Sequence, residues 1–119
     1  MERNERVAII GATREMLEQL VVANGLRKED VAMAYFSTTV DLDAEFPAVA
    51  ARQIGWTDVA LVCSHELDVP GSLRQCIRVT LLVNSDNQQA DMVHVYLRGA
   101  VALRPDLASR MQKMGGAEA

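Results

Sequence analysis

The sequence has 119 residues, half of them hydrophobic and 24% charged, with 12 basic residues against 16 acidic ones and a formal net charge of −4. That length fits one domain with one hydrophobic core, and the balance is that of a folded globular chain and not a disordered one. The acidic surplus argues against a broad nucleic-acid face, which needs a basic excess to displace counterions, and no apolar run approaches the roughly 18 residues of a membrane-spanning helix.

The first residues are charged (Glu2, Arg3, Glu5, Arg6) and no signal-peptide pattern follows them, so a cytoplasmic protein is expected. Asn4 is placed to cap a helix over residues 4–24. Ile10, Leu17 and Val21 mark its stripe, with Thr13, Met16 and Leu20 beside them, and Asn24-Gly25 marks its stop. Residues 7–13 also suggest the strand and glycine turn of a dinucleotide-binding fold, but that fingerprint needs three spaced glycines and only Gly11 is present. Residues 31–39 read as a buried strand entered through the polar Lys28-Glu29-Asp30 and closed by Ser37-Thr38-Thr39. An acidic connector, residues 41–45, leads to Phe46-Pro47, which opens a short Ala-rich helix bearing Arg52 and ended by Gly55.

Residues 59–63 and 76–84 read as two strands joined in hairpin fashion through Pro70-Gly71, residues 86–89 as a turn, and 94–97 as a further strand. Residues 1–108 are expected to form a single domain and 109–119 a flexible tail. The order of helix, strand, short helix and further strands predicts an α+β fold with helices on one face of a mixed sheet.

Cys63 and Cys76 make no disulfide framework and lack the paired spacing of a zinc site, and neither His65 nor His94 has a second ligand at metal spacing. No metal or cofactor is expected. No nucleophile elbow, zinc-binding helix or phosphate loop occurs. In residues 76–84, alternation puts Ile77, Val79, Leu81 and Val83 on one face and Cys76, Arg78, Thr80 and Leu82 on the other. An arginine among apolar neighbours needs a partner, and two remain open: a structural pair with Glu66 or Asp68, or an anionic ligand. Cys63 and Glu66 converge only if the chain turns helically between them; otherwise they point to opposite sides. Glu66 itself reads as either a solvated carboxylate or a loop binding residue.

Six separated segments, in order, carry a resemblance: Phe46-Pro47-Ala48 with Arg52, Cys63 with Glu66, Pro70-Gly71-Ser72-Leu73, Cys76-Ile77-Arg78-Val79, His94-Val95-Tyr96-Leu97, and Ala102-Leu103-Arg104-Pro105-Asp106-Leu107. Together they resemble the monofunctional chorismate mutases of the Bacillus type, the AroH class. The resemblance implies a homotrimer whose sheets form a pseudo-α/β barrel with sites between subunits, and the Claisen rearrangement of chorismate to prephenate without a cofactor. It implies that Arg78 meets the ether oxygen and a carboxylate, that Glu66 and Cys63 hold the ring hydroxyl, and that Tyr96 reaches a carboxylate. Phe46 and Leu103 would wall the ring, and Arg52 and Arg104 would add positive potential near the mouth. Family members also carry, before the first helix, a strand resembling Arg-Gly-Ile-Arg-Gly-Ala whose second arginine clamps substrate. No counterpart precedes Glu2, so the resemblance leaves open a true start upstream of Met1 or a loss of the strand with a weakened site, and the alternative reading is a non-catalytic trimer that binds a small cyclic carboxylate.

Overall fold

In the computed structural model, which describes residues 3–104 and residue 106, the chain opens with α1 (Arg6–Asn24). Ile9, Ile10, Thr13 and Leu17 are buried along it, the three-and-four spacing of a helix that covers a core with one side. Thr13 is tolerated there because its hydroxyl donates to the Ile9 carbonyl at 2.7 Å. The stop is where the sequence put it: Gly25 takes φ 60° and ψ 39°, and its N–H returns to the Val21 carbonyl. Gly11 lies inside this helix, so no dinucleotide turn forms.

The start of α1 differs from expectation. Glu5 holds the cap position, and Asn4 turns to the loop after the first strand. Its Nδ2 donates to Asp43 Oδ1 at 2.8 Å, and its Oδ1 accepts the N–H groups of Asp43 and Ala44, both at 3.0 Å. A side-chain amide is donor and acceptor at once, and three bonds to a loop outweigh the one bond of a cap.

A 3-10 turn (Lys28–Asp30) leads into β1 (Val31–Thr38), followed by α2 (Ala48–Gln53), β2 (Ala60–His65) and β3 (Ile77–Val83). The strand order is β2-β1-β3, with β1 parallel to β2 and antiparallel to β3. Helix α2 is thus the crossover that a parallel pair requires. The expected hairpin between β2 and β3 is not made, because β1 lies between them. Phe36, Ser37 and Thr38 of the central strand are buried in succession, with side chains crowded on both faces, whereas β3 alternates because only one of its faces packs on the core.

Leu17, Val31, Ala34, Phe36, Ala48, Ala51 and Trp56 form the main core, and Leu61, Cys63, Val79 and Leu81 pack against it. The two helices touch each other, α1 also meets β3, and α2 meets β2, so both cover the same face of a mixed sheet. On the other face Val62 and Ser64 of β2 and Arg78, Thr80 and Leu82 of β3 are exposed.

Residues 94–97 do not form the expected strand, nor do 92–93 before them. Met92 and Leu97 have extended dihedrals, but the segment pairs with no strand among the described residues. It is held instead by Asn24, whose Nδ2 donates to the Val93 carbonyl and whose Oδ1 accepts the Val93 N–H, each at 2.8 Å. A 3-10 stretch (Arg98–Leu103) follows, tied to α1 by Arg98 and Glu15 at 3.2 Å. No helix among the described residues is long and apolar enough to cross a membrane, and residues 109–119 lie outside those described.

Candidate active site

The open face of the sheet gathers the polar residues. Ser37 of β1 stands opposite Ser64 of β2 on one side and Arg78 of β3 on the other, and residues so paired share a face. Glu66 lies two residues beyond Ser64, and its N–H donates to the Thr38 carbonyl at 2.8 Å, so strand geometry carries past the end of β2. The carboxylate therefore falls on the same face. Arg78 Nη1 is 3.8 Å from Glu66 Oε1, and the Ser37 hydroxyl donates to Glu66 Oε2.

Of the two partners open to Arg78 in the sequence, the nearby carboxylate is Glu66. The guanidinium is not buried, however: its side chain is 58% exposed against 27% for Glu66, because no helix covers this face. An ion pair at such a distance and exposure contributes at most about 1 kcal/mol. Most of the arginine's charge is left for an incoming anion. Tyr35 adds a second polar link on this face, its hydroxyl meeting that of Ser64 at 2.5 Å.

The start of β3, and with it Arg78, is set by a clamp that sequence reasoning passed over. Asp41 accepts the Gln75 N–H at 3.2 and 3.1 Å and the Thr39 hydroxyl at 2.5 Å. These bonds, the Thr39 one first, hold its carboxyl below the usual carboxylate range against a smaller opposing effect of burial. Thr39 also exchanges bonds with Cys76, donating its N–H to the Cys76 carbonyl and accepting the Cys76 N–H, both at 3.0 Å. Gln75 is held at φ 48°, a left-handed conformation that costs a non-glycine residue about 1 kcal/mol or more.

Beside the outer edge of β3, an open cleft of about 580 Å³ runs between β3, α1 and the residues from 92 onward, and Arg78, Tyr96 and Arg104 all line it. Arg104 is turned onto Asp106 by two hydrogen bonds of 3.1 and 3.0 Å. Three of the residues singled out in the sequence thus border one space.

Others are placed apart from it. Cys63 stands opposite Phe36 and packs on the helix-covered core; strand geometry through His65 sends residues 63 and 66 to opposite faces, so the thiol does not join Glu66. Burial pushes the Cys76 thiol up, with Arg78 only partly offsetting it, which disfavours a nucleophilic thiolate. Phe46 is 66% exposed at the start of α2 and Arg52 is exposed near its end, and neither lines the cleft. Phe46 is nonetheless fixed: its N–H donates to Glu45 Oε1 at 2.9 Å, and Arg6 Nε donates to Glu45 Oε2 at 2.8 Å. The side chain of Leu103 lies outside the described positions. His65 meets the Thr38 hydroxyl at 3.1 Å through Nδ1. Sequence reasoning read Ser37 only as part of the polar strand end Ser37-Thr38-Thr39; what it missed is the contact with Glu66, 29 residues away.

The sequence matches the family described as Chorismate mutase type I over residues 1–107. It is 49% identical to Chorismate mutase AroH of Thermus thermophilus over 110 residues, 92% of this chain and 90% of that protein. It is 42% identical to Chorismate mutase AroH of Bacillus subtilis (strain 168) over 109 residues, 91% of this chain and 86% of that one. Among solved structures, a chorismate mutase from Clostridium thermocellum superimposes with a TM-score of 0.83 at 46% identity, covering 85% of this chain and 90% of that one.

Proposed function

The chain belongs to the type I chorismate mutase family, and we propose from that premise that this isomerase converts chorismate to prephenate in aromatic amino acid biosynthesis, in the cytoplasm. The rearrangement breaks one ether C–O bond and forms one C–C bond within the same molecule. It needs no nucleophile, metal or leaving-group acid. What it needs is a pocket that selects the compact conformer in which the reacting carbons approach and a positive charge where the ether oxygen gains electron density.

The observation that carries this reading is Arg78 on the uncovered face, 58% exposed and only loosely paired to Glu66 at 3.8 Å. A guanidinium so placed meets a growing negative charge without first giving up a strong partner. Glu66, with Oε2 held by Ser37 and Oε1 left as an acceptor, suits the ring hydroxyl. Tyr96 and Arg104, on the far wall of the cleft, suit the substrate's carboxylates.

The assembly is a homotrimer in this proposal, with sites between subunits and the open sheet faces turned into a shared barrel. The exposed apolar Val62 and Leu82 on that face favour such cover. Phe46, just ahead of α2, and Arg52, on it, both outside the single-chain cleft, together with Leu103 then complete the wall and mouth of a site shared between subunits. An arginine-bearing strand ahead of Glu2, of the kind the family resemblance implies, brings a second cation to the same dianion. Extension by such a strand is expected to raise turnover.

Following chorismate loss by absorbance, with prephenate identified as product, tests the proposal. Turnover by the purified chain, or by the chain with that strand added, supports it. Tight chorismate binding by calorimetry with no product from either version would make this a binding protein instead.

A further inference from the structure

Glu66 has two oxygens and two neighbours, and they do not hold it equally. Arg78 Nη1 is 3.8 Å from Oε1, too long for a directional hydrogen bond, so the arginine does not set the carboxylate's orientation. The Ser37 hydroxyl does, because it donates to Oε2, and an ionised carboxylate can only accept. At the other end of the residue, the Glu66 N–H is fixed on the Thr38 carbonyl at 2.8 Å. A flexible three-bond side chain is thereby pinned at both ends.

Ser37 itself is 7% exposed in the middle strand of the sheet, at a strand position where an apolar side chain would pack without needing a partner. A buried hydroxyl kept there in contact with one carboxylate points to that carboxylate as its purpose. We infer that Ser37 is a positioning residue for the rearrangement: by holding Oε2 of Glu66 it presents Oε1 toward Arg78 and the substrate hydroxyl, so that the substrate does not have to order the carboxylate on binding. This inference rests on the proposed chorismate mutase site and adds a residue to it.

A double-mutant cycle separates this role from a structural one. Ser37→Ala is expected to lower kcat/KM on the order of tenfold, the loss of one charge-assisted hydrogen bond, while Ser37→Thr, which keeps the hydroxyl, recovers most of it. In a Glu66→Ala background, Ser37→Ala is expected to change kcat/KM by less than about twofold, since nothing remains for the serine to position. Equal losses in both backgrounds, or no loss in either, would overturn the inference even with Glu66→Ala itself impaired. If Glu66→Ala turns over like the parent, the site reading fails and the inference falls with it. Should Ser37→Ala not fold, Ser37→Cys, of similar size but a weak donor, takes its place in the cycle.

Discussion

Phe36, Cys63 and Val79 lie in one row across the sheet, and Ser37, Ser64 and Arg78 lie in the next. A single step along each strand separates the two rows, and it changes everything about their surroundings. The first row faces α1 and α2 and is packed among Leu17, Ala51 and Trp56. The second faces away from both helices, keeps Arg78 mostly exposed, and carries a connected hydroxyl, carboxylate and guanidinium. Side-chain parity in a strand is therefore what divides the residues that hold this fold from the residues proposed to act on a ligand.

The division can be broken at either face. The largest effect is expected on the covered side: Phe36→Ala empties the centre of the core and costs about 3–5 kcal/mol of stability, readable in denaturant unfolding, with activity lost only as the fold is lost. On the open side, Leu82→Asp sets a charge on the apolar part of the face that a second copy would cover. It is expected to shift the proposed trimer to monomer in light scattering while each chain keeps its helical circular dichroism. Cys63→Ala sharpens the boundary. As a covered-face residue its loss costs about 1 kcal/mol of stability, and kcat/KM stays within about twofold of the parent; a much larger rate loss at unchanged stability would place the thiol with Glu66.

The smallest effect concerns the clamp before β3. The Asp41 carboxyl is held below the usual carboxylate range, chiefly by the Thr39 hydroxyl. Its stabilisation is thus complete above that range and lost as pH falls through the lowered value. Asp41→Asn is expected to lower the thermal midpoint at neutral pH by the equivalent of less than about 1 kcal/mol, given its exposure to solvent. The gap to the parent should close in strong acid, when both side chains are neutral.

Much of the fold was legible because its signals are local. The Asn24-Gly25 stop, the strand over residues 31–38, Pro47 at the head of α2 and the alternation of β3 each rest on a few adjacent side chains. The parity rule left Cys63 and Glu66 either converging on a helical turn or facing opposite ways, and the strand through His65 decides that within one chain. What was not legible depends on contacts distant in sequence. Strand order put β1 between two strands that looked like a hairpin. Asn4 and Asn24, which looked like helix ends, turned out to tether segments about 40 and 69 residues away. For the same reason residues 94–97 looked like a strand: their composition suits one, but a strand needs an adjacent edge. Arg78 looked buried because its chain neighbours are apolar, whereas exposure is decided by what covers the face.

The most direct test of the division between the faces is Arg78→Ala, measured for chorismate turnover and thermal unfolding on the same preparation. The expected result is a fall in kcat/KM on the order of 10²–10³ with a stability change within about 0.5 kcal/mol, a charge removed from an open face that the fold does not need. Turnover near the parent's level, or a loss that follows unfolding, would contradict the account.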